Sequence, residues 1–315
     1  MIIRSLLLLI PLAIWSYVFI NQHVSIKERT ASFMGFVWAF HSSLILNMLF
    51  IRNNLFTLSI QDNLFYGIPL DWVFTQAVIL GAVIPLGRLY GVSKMVSYIF
   101  QIVMIAVVYS SAGVAIDNIY AGFIIVSTFI FCSLPAMALS NWTANDTHIR
   151  ERSLLQALAW AWLLLWMFPS TVFSLTTDSW NGILQQDLEI TLVFLVPLII
   201  PAYLLISALY QFAVEGDGTA FPYDPPKRLV IGGVYQYLSN PMQVGICLMM
   251  GWWGVVIQSM WISLSAMIAF ILFIVFKDVC NGSCAIGKGN KEWEDYQQSV
   301  PKWIPRLKAR STSTK

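Results

Sequence analysis

Apolar runs of roughly 20 residues recur along the whole chain, each long enough to cross the hydrocarbon of a bilayer as a helix. No other feature restricts the fold so severely. Inside lipid a segment must satisfy its own backbone N–H and C=O groups, so the runs are expected as helices rather than open strands. Nine are read, over 3–21, 31–51, 66–87, 95–115, 119–139, 153–175, 190–213, 241–258 and 261–277, with turn formers and most charges between them. Only 11% of the 315 residues are charged, where a soluble domain has about 25%. The expected fold class is an all-α integral membrane protein of about nine transmembrane helices.

Basic residues set an orientation. Alternate connections carry Lys27 and Arg29, Arg88 and Lys94, Arg150 and Arg152, then Lys227 and Arg228, and eight more lie from Lys277 onward. Sixteen of the eighteen Lys and Arg thus share one side, leaving Arg4 and Arg52 opposite. This predicts a cytoplasmic C-terminus and, with nine spans, an N-terminus on the outer side. The sequons at Asn141, Asn145 and Asn281 would then face the cytoplasm without glycans. A net charge of +2 with no long basic run gives no reason to expect a nucleic acid partner.

The last two runs are short and separated only by Ser259 and Met260, so they form a tight antiparallel hairpin. A polar segment, 215–240, leads into it and a polar tail leaves it, both on the cytoplasmic side, where they can meet and form a site. The chain accordingly divides into a seven-span region, 1–214, and a loop, hairpin and tail, 215–315.

Two stretches carry a recognisable pattern: EGDGTAFPYDPPKRLVIGGVYQYLSNPMQVG before the hairpin and WEDYQQSVPKWIPR after it. Together they resemble the isoprenylcysteine carboxyl methyltransferase and phospholipid methyltransferase superfamily, with its G-x-Y-x-Y-x-R-[HN]-P-x-Y-x-G element, hairpin, Glu-Glu pair, F-G-x-x-Y-x-x-Y and V-P-x-x-x-P ending. The resemblance covers about 215–306, under a third of the chain. Gly233, Tyr235, Tyr237, Asn240, Pro241 and Gly245 fall on the first element, Trp293 and Tyr296 on the late aromatic positions, and Val300, Pro301, Ile304 and Pro305 on the ending. The family's arginine is Ser239 here and its second tyrosine Gln243. Its Glu-Glu pair lands on Asn281 and Gly282, and its F-G on Gly289 and Asn290.

The resemblance implies a membrane enzyme that holds S-adenosylmethionine between loop and tail and methylates a lipophilic small molecule or lipid-modified substrate. A sulfonium donor needs to be held, aligned and kept dry. Aromatic faces attract such a cation by about 0.5–2 kcal/mol each, which points to Tyr235, Tyr237 and Trp293. Gly245 would let the cofactor approach the backbone. Pro241 opens a helix whose free N–H groups suit a carboxylate. Asp278 is the first candidate to replace the missing carboxylates, ahead of Glu292, Glu294 and Asp295. Lys227 and Arg228 are candidates to replace the arginine and bind a substrate or cofactor carboxylate. The acceptor atom is open among carboxyl, amine, thiol and hydroxyl.

Blander readings stand beside these. Boundary tyrosines are ordinary interfacial anchors, and Lys227 and Arg228 suit a positive-inside flank. Cys280 and Cys284, four apart, lack a second Cys or His pair for a metal. His41, Asp71, Gln76 and Gln101 lie within apolar runs, where polar groups are functional candidates by default, though His41 equally suits a helix–helix hydrogen bond. The tryptophans read as packing residues. Loss of the arginine and both glutamates also admits a different class of protein, a non-catalytic membrane subunit that binds a membrane-protein partner or membrane lipids. A nicotinamide-dependent reductase of the sterol-reductase type would need a larger basic pocket.

Overall fold

The computed structural model describes residues 2–58, 64–65, 67–111, 114–116, 118–220, 224–280 and 291–310; within these, 2–7, 64, 111, 114–116, 118 and 276–280 are described by backbone alone. The chain packs as two compact units, Met1–Ala159 and Trp160–Lys315. The motif expected to begin at 215 thus belongs to a packing unit that starts much earlier. In chain order the main helices are α1 (Ile2–Ile20), α2 (Ile26–Arg52), α3 (Leu70–Tyr90), α4 (Lys94–Ser111), α5 (Ile119–Asn145), α6 (Ile149–Leu175), α7 (Leu188–Val214), α8 (Pro241–Val256), α9 (Met260–Cys280) and α10 (Lys291–Ser299). Five of them, α2, α3, α5, α6 and α7, are long and apolar enough to cross a membrane; α1, α4, α8 and α9 contribute shorter apolar stretches among the described residues. Two short antiparallel pairings, Phe56–Leu58 with Val114–Ile116 and Leu64–Phe65 with Ile68–Pro69, tie connections together.

Proline shapes three of the long helices in the same way. The π-helical stretches Ala77–Val83, Phe129–Ser133 and Leu163–Met167 each end two residues before a proline, Pro85, Pro135 and Pro169. Proline lacks the N–H that would bond the carbonyl four residues back, and its ring crowds that carbonyl. Widening the turn moves the carbonyl aside. The three carbonyls concerned belong to Gly81, Phe131 and Leu165, and each is met from a neighbouring helix. Trp38 Nε1 donates to Phe131 O at 3.1 Å and Trp253 Nε1 to Leu165 O at 2.8 Å. Gly81 O lies so close to Gly35 that a Cβ there would be 2.1 Å away. In hydrocarbon no water can take over this task. These two tryptophans are therefore hydrogen-bond donors to π-helical turns as well as packing residues.

In the first unit α2 lies at the centre, crossing α3 at the Gly35–Gly81 contact. A buried polar chain links four helices above it. Asn47 Nδ2 donates to Gln76 Oε1 at 2.8 Å, and Tyr109 Oη donates to Asn47 Oδ1 at 2.8 Å, with Thr128 Oγ1 3.2 Å from the same hydroxyl. Gln101 Nε2 donates to Leu80 O. Gln76 and Gln101, singled out in the sequence, are thus helix-to-helix hydrogen-bonding groups. His41 donates Nδ1–H to Val37 O of its own helix at 2.6 Å, so its bond is local. At one end of this unit Glu28 pairs with Arg88, which also donates to Ser140, while Asp146 pairs with Lys27 and the fully buried Arg152. The three basic connections of the unit therefore meet at a common end.

In the second unit α8 and α9 form the expected hairpin. Its turn carries Gln258 at φ +57°. A Cβ on Gly254 would lie 2.3 Å from Ser263 Oγ, so the two helices close tightly only because this residue is glycine. Trp252 Nε1 donates to Phe194 O and Trp253 to Leu165 O, fastening the hairpin to α7 and α6. At the turn end Ser259 Oγ donates to Asp178, and Trp180 packs on Phe173 while donating to Ser170. The opposite end of the hairpin carries the loop and tail.

Candidate functional site

The loop after α7 folds back on the helix it leaves. The Glu215 carboxylate accepts the backbone N–H of Ile231 and of Gly232, at 3.2 Å and 3.0 Å. Lys227 and Arg228 donate their backbone N–H to Gly216 O, and Lys227 Nζ lies 3.6 Å from Asp217. The chain then turns through Gly233–Gln236, with Gly233 at φ +53°. A Cβ there would lie 2.3 Å from Gln211 Nε2, so only glycine can pass so close to α7 in this conformation.

Tyr235 is buried and stacks on Phe212 of α7, centroids 5.4 Å apart and planes 14° from parallel. From the tail, Tyr296 Oη donates to Tyr235 O at 2.8 Å, and Trp293 stacks on Tyr296. The three expected cofactor-facing aromatics Tyr235, Trp293 and Tyr296 are thus brought together, but as a filled cluster with Ala208, Val230 and Val300. Burial raises the phenol pKa values of Tyr235 and Tyr296 above the ordinary tyrosine value; the Glu215 carboxylate adds to the rise at both, and for Tyr296 Arg310 partly offsets it. Burial thus favours the neutral form of both hydroxyls, and Tyr296 Oη is the one that donates to Tyr235 O.

Beyond α10 the tail runs beside the motif, bonded by its backbone. Ser239 N donates to Pro301 O, Arg306 N to Tyr237 O and Arg310 N to Gln236 O, at 3.0, 3.0 and 3.3 Å. The Arg310 guanidinium sits over the Tyr296 ring, 5.5 Å from its centroid. Ser239, where the family pattern has arginine, is therefore part of a backbone pairing that fixes the tail.

Between α7, the 233–238 turn and this strap lies a cleft of about 770 Å³. Tyr203, Leu204, Ile206, Ser207, Tyr210 and Gln211 form its α7 wall; Gly233, Val234, Gln236, Tyr237 and Leu238 form the second; Pro305 and Arg306 form the third. Of the residues singled out in the sequence, Gly233 and Tyr237 line it, whereas Lys227 and Arg228 do not. Asn240 and Pro241 are buried at the start of α8. A Cβ on Gly245 would lie 2.9 Å from Leu205 Cγ, so its missing side chain lets α8 approach α7. The side chains of Asp278 and Cys280, and residues Asn281, Gly282, Cys284, Gly289 and Asn290, lie outside the described residues. Arg306, Gln211, Tyr203 and Tyr210 are cleft residues that the sequence reading did not pick out. Two signals for them were present: a cation directly after the V-P-x-x-x-P ending, and two tyrosines seven apart on an apolar helix.

Residues 191–281 match the family model described as phospholipid methyltransferase. The match covers under a third of the chain. It agrees with the isoprenylcysteine and phospholipid methyltransferase resemblance and extends it upstream over α7. No curated protein and no solved structure matches the chain. The C-terminal part of this membrane protein is methyltransferase-like.

Proposed function

We propose that the second unit transfers a methyl group from S-adenosylmethionine to a lipophilic acceptor arriving from the bilayer. One observation carries the reading: Gly233 and Tyr237, which the resemblance assigns to the cofactor, face the same cleft as the exposed Tyr203, Ile206 and Tyr210 of α7. Donor and lipophilic acceptor can thereby share one space. When bound, S-adenosylmethionine supplies a methyl group activated by positive charge on sulfur.

The cleft suits that group. Tyr203, Tyr210 and Tyr237 offer aromatic faces, each worth about 0.5–2 kcal/mol to a cation. Gly233 leaves room beside the backbone, and the amides of Gln211 and Gln236 can pair with polar edges of a ligand. The chain's contribution is positioning and exclusion of water. Tyr235, Trp293 and Tyr296 act from behind, holding loop and tail together so that Tyr237 and Gly233 keep their places. Asn240, Pro241 and Gly245 set how α8 starts and meets α7 behind the cleft, and Asp278 is the carboxylate proposed for the cofactor end. This reading includes nine membrane crossings with the loop and tail in the cytoplasm, on the strength of the sixteen basic residues assigned to one side.

The test is equilibrium binding of labelled S-adenosylmethionine to detergent-purified protein, competed with S-adenosylhomocysteine. Saturable, competed binding that weakens at least about tenfold in Tyr237→Ala, equivalent to roughly 1.4 kcal/mol, is expected. Folded protein that binds nothing at millimolar cofactor would sink the proposal.

A further inference from the structure

After α10 the tail changes character. Residues 300–310 include Lys302, Arg306, Lys308 and Arg310 and no Asp or Glu. Two of these cations are engaged within the fold: Arg306 donates Nη1 to Ser299 O at 2.9 Å, and the Arg310 guanidinium lies over the Tyr296 ring. On the same segment Ile304 is 77% exposed and Leu307 99% exposed, with Lys308 exposed beside Leu307. Neither Ile304 nor Leu307 lines the cleft. The strap therefore has an outer side that is apolar and cationic at once.

Its place beside the hairpin indicates what covers that side. Trp303 packs edge-to-face on Phe270 of α9, centroids 5.6 Å apart and planes 84° from parallel. Phe270 stands about 15 Å along α9 from the hairpin turn, so the strap lies alongside an apolar helix, not beyond its end. Around that level α9 exposes Met267, Ile271 and Val275. In a membrane protein such a helix side faces lipid, and a soluble partner could reach Ile304 and Leu307 only by displacing it. Trp, Ile and Leu next to Lys is also the make-up of segments that lie in a bilayer interface, with apolar groups at the acyl boundary and ammonium groups among the headgroups. Negatively charged headgroups attract a basic stretch of this kind.

We propose that the outer side of the strap is a binding surface for the anionic headgroup layer of the surrounding bilayer. Ile304 and Leu307 enter the acyl boundary, and Lys302 and Lys308 pair with negatively charged headgroups. The surface is separate from the cleft and stands apart from the methyl-transfer reading. Its effect reaches the cleft through the backbone. Arg306 N is bonded to Tyr237 O, so a strap held at the bilayer keeps Pro305 and Arg306 against the 233–238 turn.

The experiment uses the full chain in lipid nanodiscs made from equal amounts of phosphatidylcholine and phosphatidylglycerol, with benzoylphenylalanine in place of Leu307. After photolysis, the mass added to the tail peptide identifies what lay against it. Phosphatidylglycerol adducts should exceed phosphatidylcholine adducts at least about threefold. In a protein carrying Lys302→Gln and Lys308→Gln the two adducts should become equal while their sum is unchanged, which also shows that the strap still reaches the bilayer. Should the double variant not fold, a measurement on the unaltered chain decides. Deuterium uptake by the 300–310 segment should be at least about threefold slower in the mixed discs than in phosphatidylcholine alone. A protein adduct in place of lipid would assign the surface to a partner or a second copy and overturn the proposal. So would equal lipid adducts with both lysines present, an excess that survives their loss, or deuterium uptake indifferent to headgroup charge.

Discussion

Replacing Gly233 by alanine tests the geometry of the cleft most directly. Two costs follow from the backbone as it stands. At φ +53° an L-residue is strained by about 1–2 kcal/mol. The new Cβ would also sit 2.3 Å from Gln211 Nε2 and 2.7 Å from its Cδ, and forcing such a side chain aside costs about 1–3 kcal/mol. The smaller entropy of an unfolded alanine chain offsets about 0.4–1 kcal/mol, leaving a net loss of about 1–4 kcal/mol. The two costs can be separated, because Gln211→Ala removes the clash and leaves the backbone strain. Unfolding in mixed micelles, followed by tryptophan fluorescence for both single variants and the double variant, should show a favourable coupling of about 1–3 kcal/mol. Gly233→Ala should also weaken cofactor binding, because the displaced Gln211 side chain lines the cleft. Additivity within about 0.5 kcal/mol would show that Gly233 and Gln211 do not meet, and the wall of the cleft would have to be redrawn.

Two further outcomes follow from features outside the cleft. Trp253→Phe should cost about 0.5–1.5 kcal/mol through loss of the bond to Leu165 O, and less in a Pro169→Ala background, where a restored N–H can serve that carbonyl; an equal cost in both backgrounds would refute the proline explanation. Because burial raises the phenols of Tyr235 and Tyr296, the unfolded chain gives up these protons first, so their stabilisation is whole below pH 10 and is lost as pH rises beyond it; thermal unfolding across about pH 8–11 should show a shallower decline in Tyr296→Phe, and an unchanged decline would count against burial of that hydroxyl.

How much of this was legible in the sequence depended on whether a residue's partner lies near it in the chain or in a fixed pattern. The hairpin was legible because two apolar runs flank a two-residue gap; Gly233 and Tyr237 were picked from the spacing of an ordered motif, and both line the cleft. The π-helical turns were half legible: Pro85, Pro135 and Pro169 announce lost hydrogen bonds, but nothing in the sequence says that Trp38 and Trp253 serve two of the freed carbonyls. Gln76 and Gln101 read as functional candidates since polar groups in lipid are costly, and their partners Asn47 and Leu80 appear only when the helices are packed. Two aromatic positions were legible by their chemistry and not by their packing. Tyr235 and Tyr296 have the right chemistry to face a cation, yet Phe212 and the Tyr235 carbonyl claim them for the packing of loop on tail. Arg306 was invisible because its place is set by a backbone bond to a residue about seventy positions earlier.

That bond also orders events in time. The α7 wall of the cleft is synthesised first, the turn with Tyr237 next, and the strap with Pro305 and Arg306 only after both hairpin helices have been made. While the chain is being made, the Tyr203–Tyr210 wall therefore stands without the strap across it until Pro305 and Arg306 have been added. A chain broken off before residue 300 would hold α1 to α9 and lack the Pro305–Arg306 wall of the cleft, so its folding and its capacity to bind can be separated by where translation stops.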